Sequence, residues 1–196
     1  MKYFQKLPGE RIYLSPITTE DAEQYCLWLN NLELTKYLSL AHQQIGVFKE
    51  KQLLTKMLEQ GNQVFAIVEK STDQLLGNCS LFNLNLRNSI GELGIFIGES
   101  QYLGKGYGEE AINLLLDYGF NIYNLHNIML EVYAYNTRAI KCYQKCGFQF
   151  AGRRREEKQI AGQRFDLLYM DILRDEFQGS TLQCDLSKLV DERLDG

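Results

Sequence analysis

No run in the 196-residue sequence is long and apolar enough to span a bilayer. A basic surplus is also missing. The net charge is −4 and the pI about 5.3, so no face for nucleic acid is implied. Histidine is scarce: His42 and His126 stand far apart, as ordinary surface or loop residues would. The five cysteines are odd in number and lack paired spacing. Cys142 and Cys146 are four apart with no matching His/Cys pair, so neither a disulfide frame nor a zinc site is expected. The opening run from Met1 to Lys6 lacks the apolar core of a secretory leader. Together these point to a cytoplasmic chain with reduced thiols, no metal, and neither membrane nor nucleic acid as partner. No internal repeat or low-complexity segment is found.

What is present suits one soluble domain. The apolar fraction is 45%, ordinary for a globular chain of this length. Arg11–Pro16 alternates as a first strand and is halted by proline. Thr18-Thr19-Glu20-Asp21 opens a helix with Ala22, Tyr25, Cys26 and Leu29 on one face. Asn30-Asn31 breaks it. Leu32–Leu40 is a short second helix, and Val47–Gln60 a third with Leu53, Leu54, Met57 and Leu58 inward, ending at Gly61. Val64–Glu69 and Leu75–Leu86 form a hairpin, and Arg87-Asn88 turns into the strand Glu92–Ile97. A helix follows from Tyr107 to Phe120, with Tyr107, Ala111, Leu114, Leu115 and Tyr118 inward and Glu109, Glu110, Asn113 and Asp117 facing elsewhere. Asn127–Ala134 is then a strand, parallel to Glu92–Ile97 because a helix crossover joins them. Asn136-Thr137 caps a helix ending at Gly147, with Ala139, Ile140, Tyr143 and Cys146 inward. Strands Phe148–Glu157 and Gln163–Leu173 close the domain, which covers 1–173. Residues 174–196 read as a polar tail with a weak helix at Ser187–Leu194.

The chemistry concentrates in Gln101-Tyr102-Leu103-Gly104-Lys105-Gly106-Tyr107-Gly108, between a strand and a long helix. Glycines let the backbone approach a ligand closely, and a helix start offers unpaired N–H groups and partial positive charge. The combination makes an anion site, most often for phosphate.

Gln101-x-x-Gly104-x-Gly106 after a strand, followed by Asn136, Ala139, Tyr143 and Gly147-Phe148, resembles the GNAT superfamily of acetyl-CoA-dependent N-acetyltransferases. Gly162-x-x-x-Asp166 and then Met170 is similar to the branch of ribosomal-protein-alanine and spermidine acetyltransferases. The resemblance implies a mixed α+β fold: a mostly antiparallel sheet of about seven strands with a splayed parallel pair, flanked by helices. It implies that acetyl-CoA pyrophosphate is wrapped by the amides of Leu103, Gly104, Lys105, Gly106, Tyr107 and Gly108, with Gln101 heading the loop. The pantetheine arm would lie along Ile95, Phe96 and Ile97 like an added strand, with a backbone N–H polarising the thioester carbonyl. Tyr143 matches the family's general acid for the leaving sulfur, and Asn136 a CoA contact besides its cap. Glu92, at the start of the central strand, is the candidate base, with Glu99 and Glu131 behind it. The acceptor is a primary amine: a small molecule such as a polyamine, amino sugar or aminoglycoside, or a protein N-terminus. Tyr25, Trp28 and Tyr37 are candidates to line its pocket, or to be core. The fold leaves room for a homodimer.

Other readings stay open at this point. Cys142 adjoins Tyr143, but without a histidine partner an acyl-cysteine route is not expected. Arg153-Arg154-Arg155 is solvated charge or a steering patch. Gly106-x-Gly108-x-x-Ala111 also fits a dinucleotide fingerprint, with Glu131 about twenty residues on. An NAD(P)-binding oxidoreductase would need more strand–helix repeats than this chain supplies. A non-catalytic acyl-CoA sensor would have lost Tyr143 and a usable base, and this sequence keeps both candidates.

Overall fold

The computed structural model describes residues 2–59 and 63–179. Eight strands form one sheet: β1 (Leu7–Pro8), β2 (Ile12–Pro16), β3 (Gln63–Glu69), β4 (Leu75–Asn85), β5 (Ile90–Ile97), β6 (Asn127–Tyr133), β7 (Gln149–Ile160) and β8 (Gln163–Leu173). Their order is β1-β2-β3-β4-β5-β6-β8-β7. Every neighbouring pair is antiparallel except β5 and β6. The two-residue β1 was too short to leave an alternating signal, and it brings the count to eight rather than about seven. A single parallel pair removes the doubly wound dinucleotide alternative, which needs a run of parallel strands.

The helices are α1 (Ala22–Leu29), α2 (Leu32–Thr35), α3 (Val47–Glu59), α4 (Tyr107–Asn121) and α5 (Thr137–Lys145). They cover both faces of the sheet, and the pleat sorts side chains between two cores. Ile12, Leu14, Phe65 and Ile67 join the core beneath α4 and α5. Their neighbours Tyr13, Ala66 and Val68 join the core beneath α1 and α3. The continuous apolar run in β3 follows from being covered on both sides.

Local chemistry sets the ends. Thr18 Oγ1 accepts from Glu20 N at 3.3 Å, starting a 3₁₀ turn that leads into α1. Asn31 caps α2, which stops at Thr35 rather than reaching Leu40. Asn30 fastens the loop beyond: its amide donates to Ile45 O at 2.7 Å, and Ile45 N donates back at 3.0 Å.

Four expectations need correction. On α3, Leu54 is buried, but Leu53 and Leu58 are 38% and 51% exposed. The inward stripe runs through Glu50, Leu54 and Met57 instead. On α4, Asp117 is buried, because the second half of that helix is enclosed from Leu114 to Phe120. β7 runs on to Ile160 through a register shift between Arg154 and Lys158. The presumed tail begins inside the fold: Phe177 packs on Phe120 with ring centroids 5.4 Å apart. The Gly61 cap and the Ser187–Leu194 helix lie outside the described residues.

Candidate active site

β5 and β6 pair through only three residue couples, Ile90–Asn127, Gly91–Ile128 and Glu92–Met129. Beyond Glu92, β5 continues to Ile97 and β6 to Tyr133 without pairing to each other. On its other edge β5 stays bonded to β4, out to Ile97 opposite Gly77. Its inner edge therefore turns alternate N–H and C=O groups into the gap, and a polar chain laid there would find them unpaired.

A cleft of about 820 Å³ opens at that gap. Glu92, Ile95, Phe96, Ile97, Leu103, Gly104, Gly106, Gly108, Asn136 and Tyr143 all line it, so residues distant in sequence are gathered in one place. Gln101, Lys105 and Tyr107 do not line it. Gln101 is exposed in a 3₁₀ turn. The Lys105 carbonyl and the Tyr107 hydroxyl are engaged on the far side of the loop.

The loop itself is held open. Gly104 and Gly106 have φ of +73° and +87°, a region that L side chains rarely enter. A Cβ at Gly104 would meet nothing within 4 Å, so the space before it is free for a ligand. Behind the loop stands Arg11, which sequence reading did not single out. Its Nη1 donates to Lys105 O at 2.9 Å, and its Nε pairs with Glu110 Oε2 at 3.0 Å. Glu110 Oε1 also accepts the main-chain N–H groups of Arg11 and Ile12, at 2.8 and 3.2 Å. The Tyr102 and Tyr107 hydroxyls donate to Glu69 at 2.9 and 3.1 Å. The glycine loop is thus tied to β2 and β3 from behind while its front faces the cleft.

Tyr143 sits on α5, whose N-cap Asn136 accepts from Ala139 N at 3.3 Å. Its ring packs edge-on against Phe148, so it is a core residue. It also lines the cleft. Burial, reinforced by the Cys142 and Cys146 thiols, pushes its pKa up and keeps it protonated. Cys142 lines the cleft beside Tyr143, and neither histidine does.

Among the carboxylates, Glu92 and Glu131 both line the cleft from the facing strands. Burial raises the Glu131 pKa, and the charges of Glu92 and Glu157 raise it further. Glu99 has another job, accepting from Trp28 Nε1 at 3.2 Å and from Gln24 Nε2 at 3.4 Å. Of the candidate pocket aromatics, Tyr25 and Tyr37 line the cleft, while Trp28 is buried against Gly98 and Phe96. Arg153 and Arg154 point to solvent, paired with Asp166 at 3.5 Å and Glu157 at 2.8 Å, and do not line the cleft. Two hydrogen bonds tie the segment after α2 across the sheet: Lys158 Nζ on β7 donates to Leu38 O at 3.1 Å, and the Tyr135 hydroxyl, in the loop after β6, to Lys36 O.

Charge divides this cleft. Lys141 and Lys145 on α5 line the end near the glycine loop, with Glu109 beside Lys145, while Arg138 stands over the Tyr37 ring, 5.6 Å from its centroid. Glu50, Glu92 and Glu131 line the other with Tyr25, and there the rings of Tyr37 and Tyr133 already carry Lys36 and Arg138, and Lys158, at 5.0–5.6 Å. The four described cysteines are free thiols, and no cluster able to hold a metal occurs among the described residues. No helix among them is long and apolar enough to cross a membrane.

Comparison with known proteins bears on this geometry. The family model "Acetyltransferase (GNAT) domain" matches residues 11–149. An uncharacterized N-acetyltransferase, p20, of Bacillus licheniformis is 30% identical over 89% of this chain and 99% of its own. Spermidine N(1)-acetyltransferase of Vibrio cholerae is 33% identical over 65% of this chain and 73% of its own. The crystal structure of spermidine N-acetyltransferase from Vibrio cholerae in complex with CoA and spermine superimposes with a TM-score of 0.77. It is 27% identical and covers 86% of this chain and 99% of that one.

Proposed function

This chain belongs to the GNAT acetyltransferase family and moves acetyl from acetyl-CoA to an amine, and we propose that the amine is a small polycation of the polyamine class. The observation that carries the proposal is the division of charge along one cleft. Cations and bare main chain at one end suit the phosphates of the donor. The three carboxylates Glu50, Glu92 and Glu131 at the other suit an ammonium. The spermidine acetyltransferases among its relatives support the same class.

In this reading the amides of the Leu103–Gly108 loop, backed by the N-terminus of α4, hold the diphosphate. The pantetheine arm runs along the inner edge of β5 past Ile95, Phe96 and Ile97. A main-chain N–H there polarises the thioester carbonyl. The acceptor amine, with a pKa of roughly 10.4, must shed a proton to attack. Glu92 takes it, directly or through a water, with Glu131 alongside. The nitrogen bonds to the acetyl carbon, the carbon–sulfur bond breaks, and the Tyr143 hydroxyl gives its proton to the departing sulfur. Transfer is direct, within a ternary complex. Asn136 orders the start of α5 and so the approach of Tyr143.

A panel of spermidine, 1,4-diaminobutane, an aminoglycoside and a peptide with a free N-terminus, assayed by CoA release and product mass, tests the acceptor class. Acetylation of the polyamines is expected. Turnover confined to the peptide would overturn the proposal.

A further inference from the structure

At the carboxylate end the cleft reaches two buried polar groups, one of which the fold leaves without a partner. Glu50, on α3, is 3% exposed, and its Oε2 makes no hydrogen bond. Tyr25, on α1, is 1% exposed, and the Asn78 amide is the one polar side chain beside its hydroxyl. Both line the cleft, as does the amide of Asn78 on β4. The surrounding wall is apolar, with Leu29, Leu54 and Met57.

An unpaired carboxylate oxygen in such a wall is costly, and a fold under no other demand would have leucine there. The cost is offset only when a donor arrives from the cleft. Burial also raises the Glu50 pKa, and no basic side chain is hydrogen-bonded to it; the nearby Lys49 gives only a partial opposing pull. The missing partner is therefore a cation or a multiple N–H donor.

We infer that Glu50 and Tyr25 form a subsite for the second, non-reacting ammonium of the acceptor. The carboxylate takes the charge and one N–H, and the Tyr25 oxygen takes another. The apolar wall accommodates the methylenes between the two nitrogens. The acceptor is measured from this end, so an amine with one nitrogen forgoes the anchor. This inference rests on the polyamine reading above and adds to it the residues that discriminate between acceptors.

The test compares 1,4-diaminobutane with butylamine, which share a chain and differ by one ammonium. Glu50→Gln keeps shape and removes charge. Its ratio of kcat/KM for the diamine over the monoamine should fall about 30-fold, through KM, as expected for losing one member of a buried charge pair. Tyr25→Phe should lower the same ratio by less, about 5-fold, for one neutral hydrogen bond. Should Glu50→Gln fail to fold, Tyr25→Phe decides the matter alone. An unchanged ratio in a variant of normal stability overturns the inference while leaving the acceptor class intact. A wild-type enzyme that acetylates neither the diamine nor spermidine overturns the acceptor class, and this subsite with it.

Discussion

Replacing Arg11 by methionine tests whether the glycine loop depends on its rear tether. The guanidinium donates to Lys105 O at 2.9 Å and pairs with Glu110 at 3.0 Å, and its side chain is 43% exposed. A charged donor on a carbonyl is worth about 1.5–3 kcal/mol when sheltered, and roughly half that at this exposure. The ion pair adds about 0.5 kcal/mol. The expected stability loss is therefore about 1.5 kcal/mol, read as a lower urea midpoint at constant m. Released from Arg11, the Lys105 peptide samples other orientations, so binding the donor must first re-order it. If most of the tether energy is transferred to that step, CoA affinity falls about 10-fold, since about 1.4 kcal/mol is one decade. Calorimetry with CoA measures this directly. A dissociation constant within twofold of wild type, alongside the predicted stability loss, would refute the reasoning. Arg11 would then steady β2 against α4 and nothing more.

Tyr143→Phe should lower kcat about 10²-fold while leaving CoA affinity within twofold, by steady-state kinetics and calorimetry. Unaltered kcat would remove the general acid. Glu50→Gln should be more stable than wild type at neutral pH. The folded pKa of Glu50 lies above its unfolded value, so the native state holds its proton longer. Its destabilising effect is absent below the unfolded pKa, about 4.3, and grows as pH rises toward the elevated folded value. Urea midpoints from pH 4 to 8 should show the gap between variant and wild type opening with pH, and a constant gap would contradict this. Gly98→Ala should lose about 3 kcal/mol or fail to fold, because its Cβ would sit 2.0 Å from the Trp28 ring. A fall in melting temperature under 3 °C would show that Trp28 yields.

The features legible in the sequence are those written over short spans. Gly104 and Gly106 announce a close main-chain approach, Asn136 announces a cap, and alternation in β2 and the apolar run of β3 announce strands. Tyr143 is singled out by the family resemblance, and helix spacing adds only that it shares the inward face with Ala139, Ile140 and Cys146. What escaped is joined across the chain. Arg11 and Glu110 are 99 residues apart, and nothing near either names the other. Phe177 finds Phe120 only once β8 has returned to the core. Asp117 falls on a polar-looking face that the fold then encloses. Glu50 did carry a signal, since Glu50, Leu54 and Met57 share helix spacing. A charge at the head of an apolar stripe reads as an end effect until its oxygen is found without a partner.

Three residue couples are all that stitch the sheet across its middle. The wall built by α1 and α3 belongs to one side of that seam, and the α5 residues that line the cleft to the other. The two banks are joined besides by the Lys158–Leu38 and Tyr135–Lys36 hydrogen bonds and by the core beneath α4. An engineer wishing to alter which amine is chosen has these ties to keep: redraw the helices above β3 and β4, and leave the thioester's berth alone.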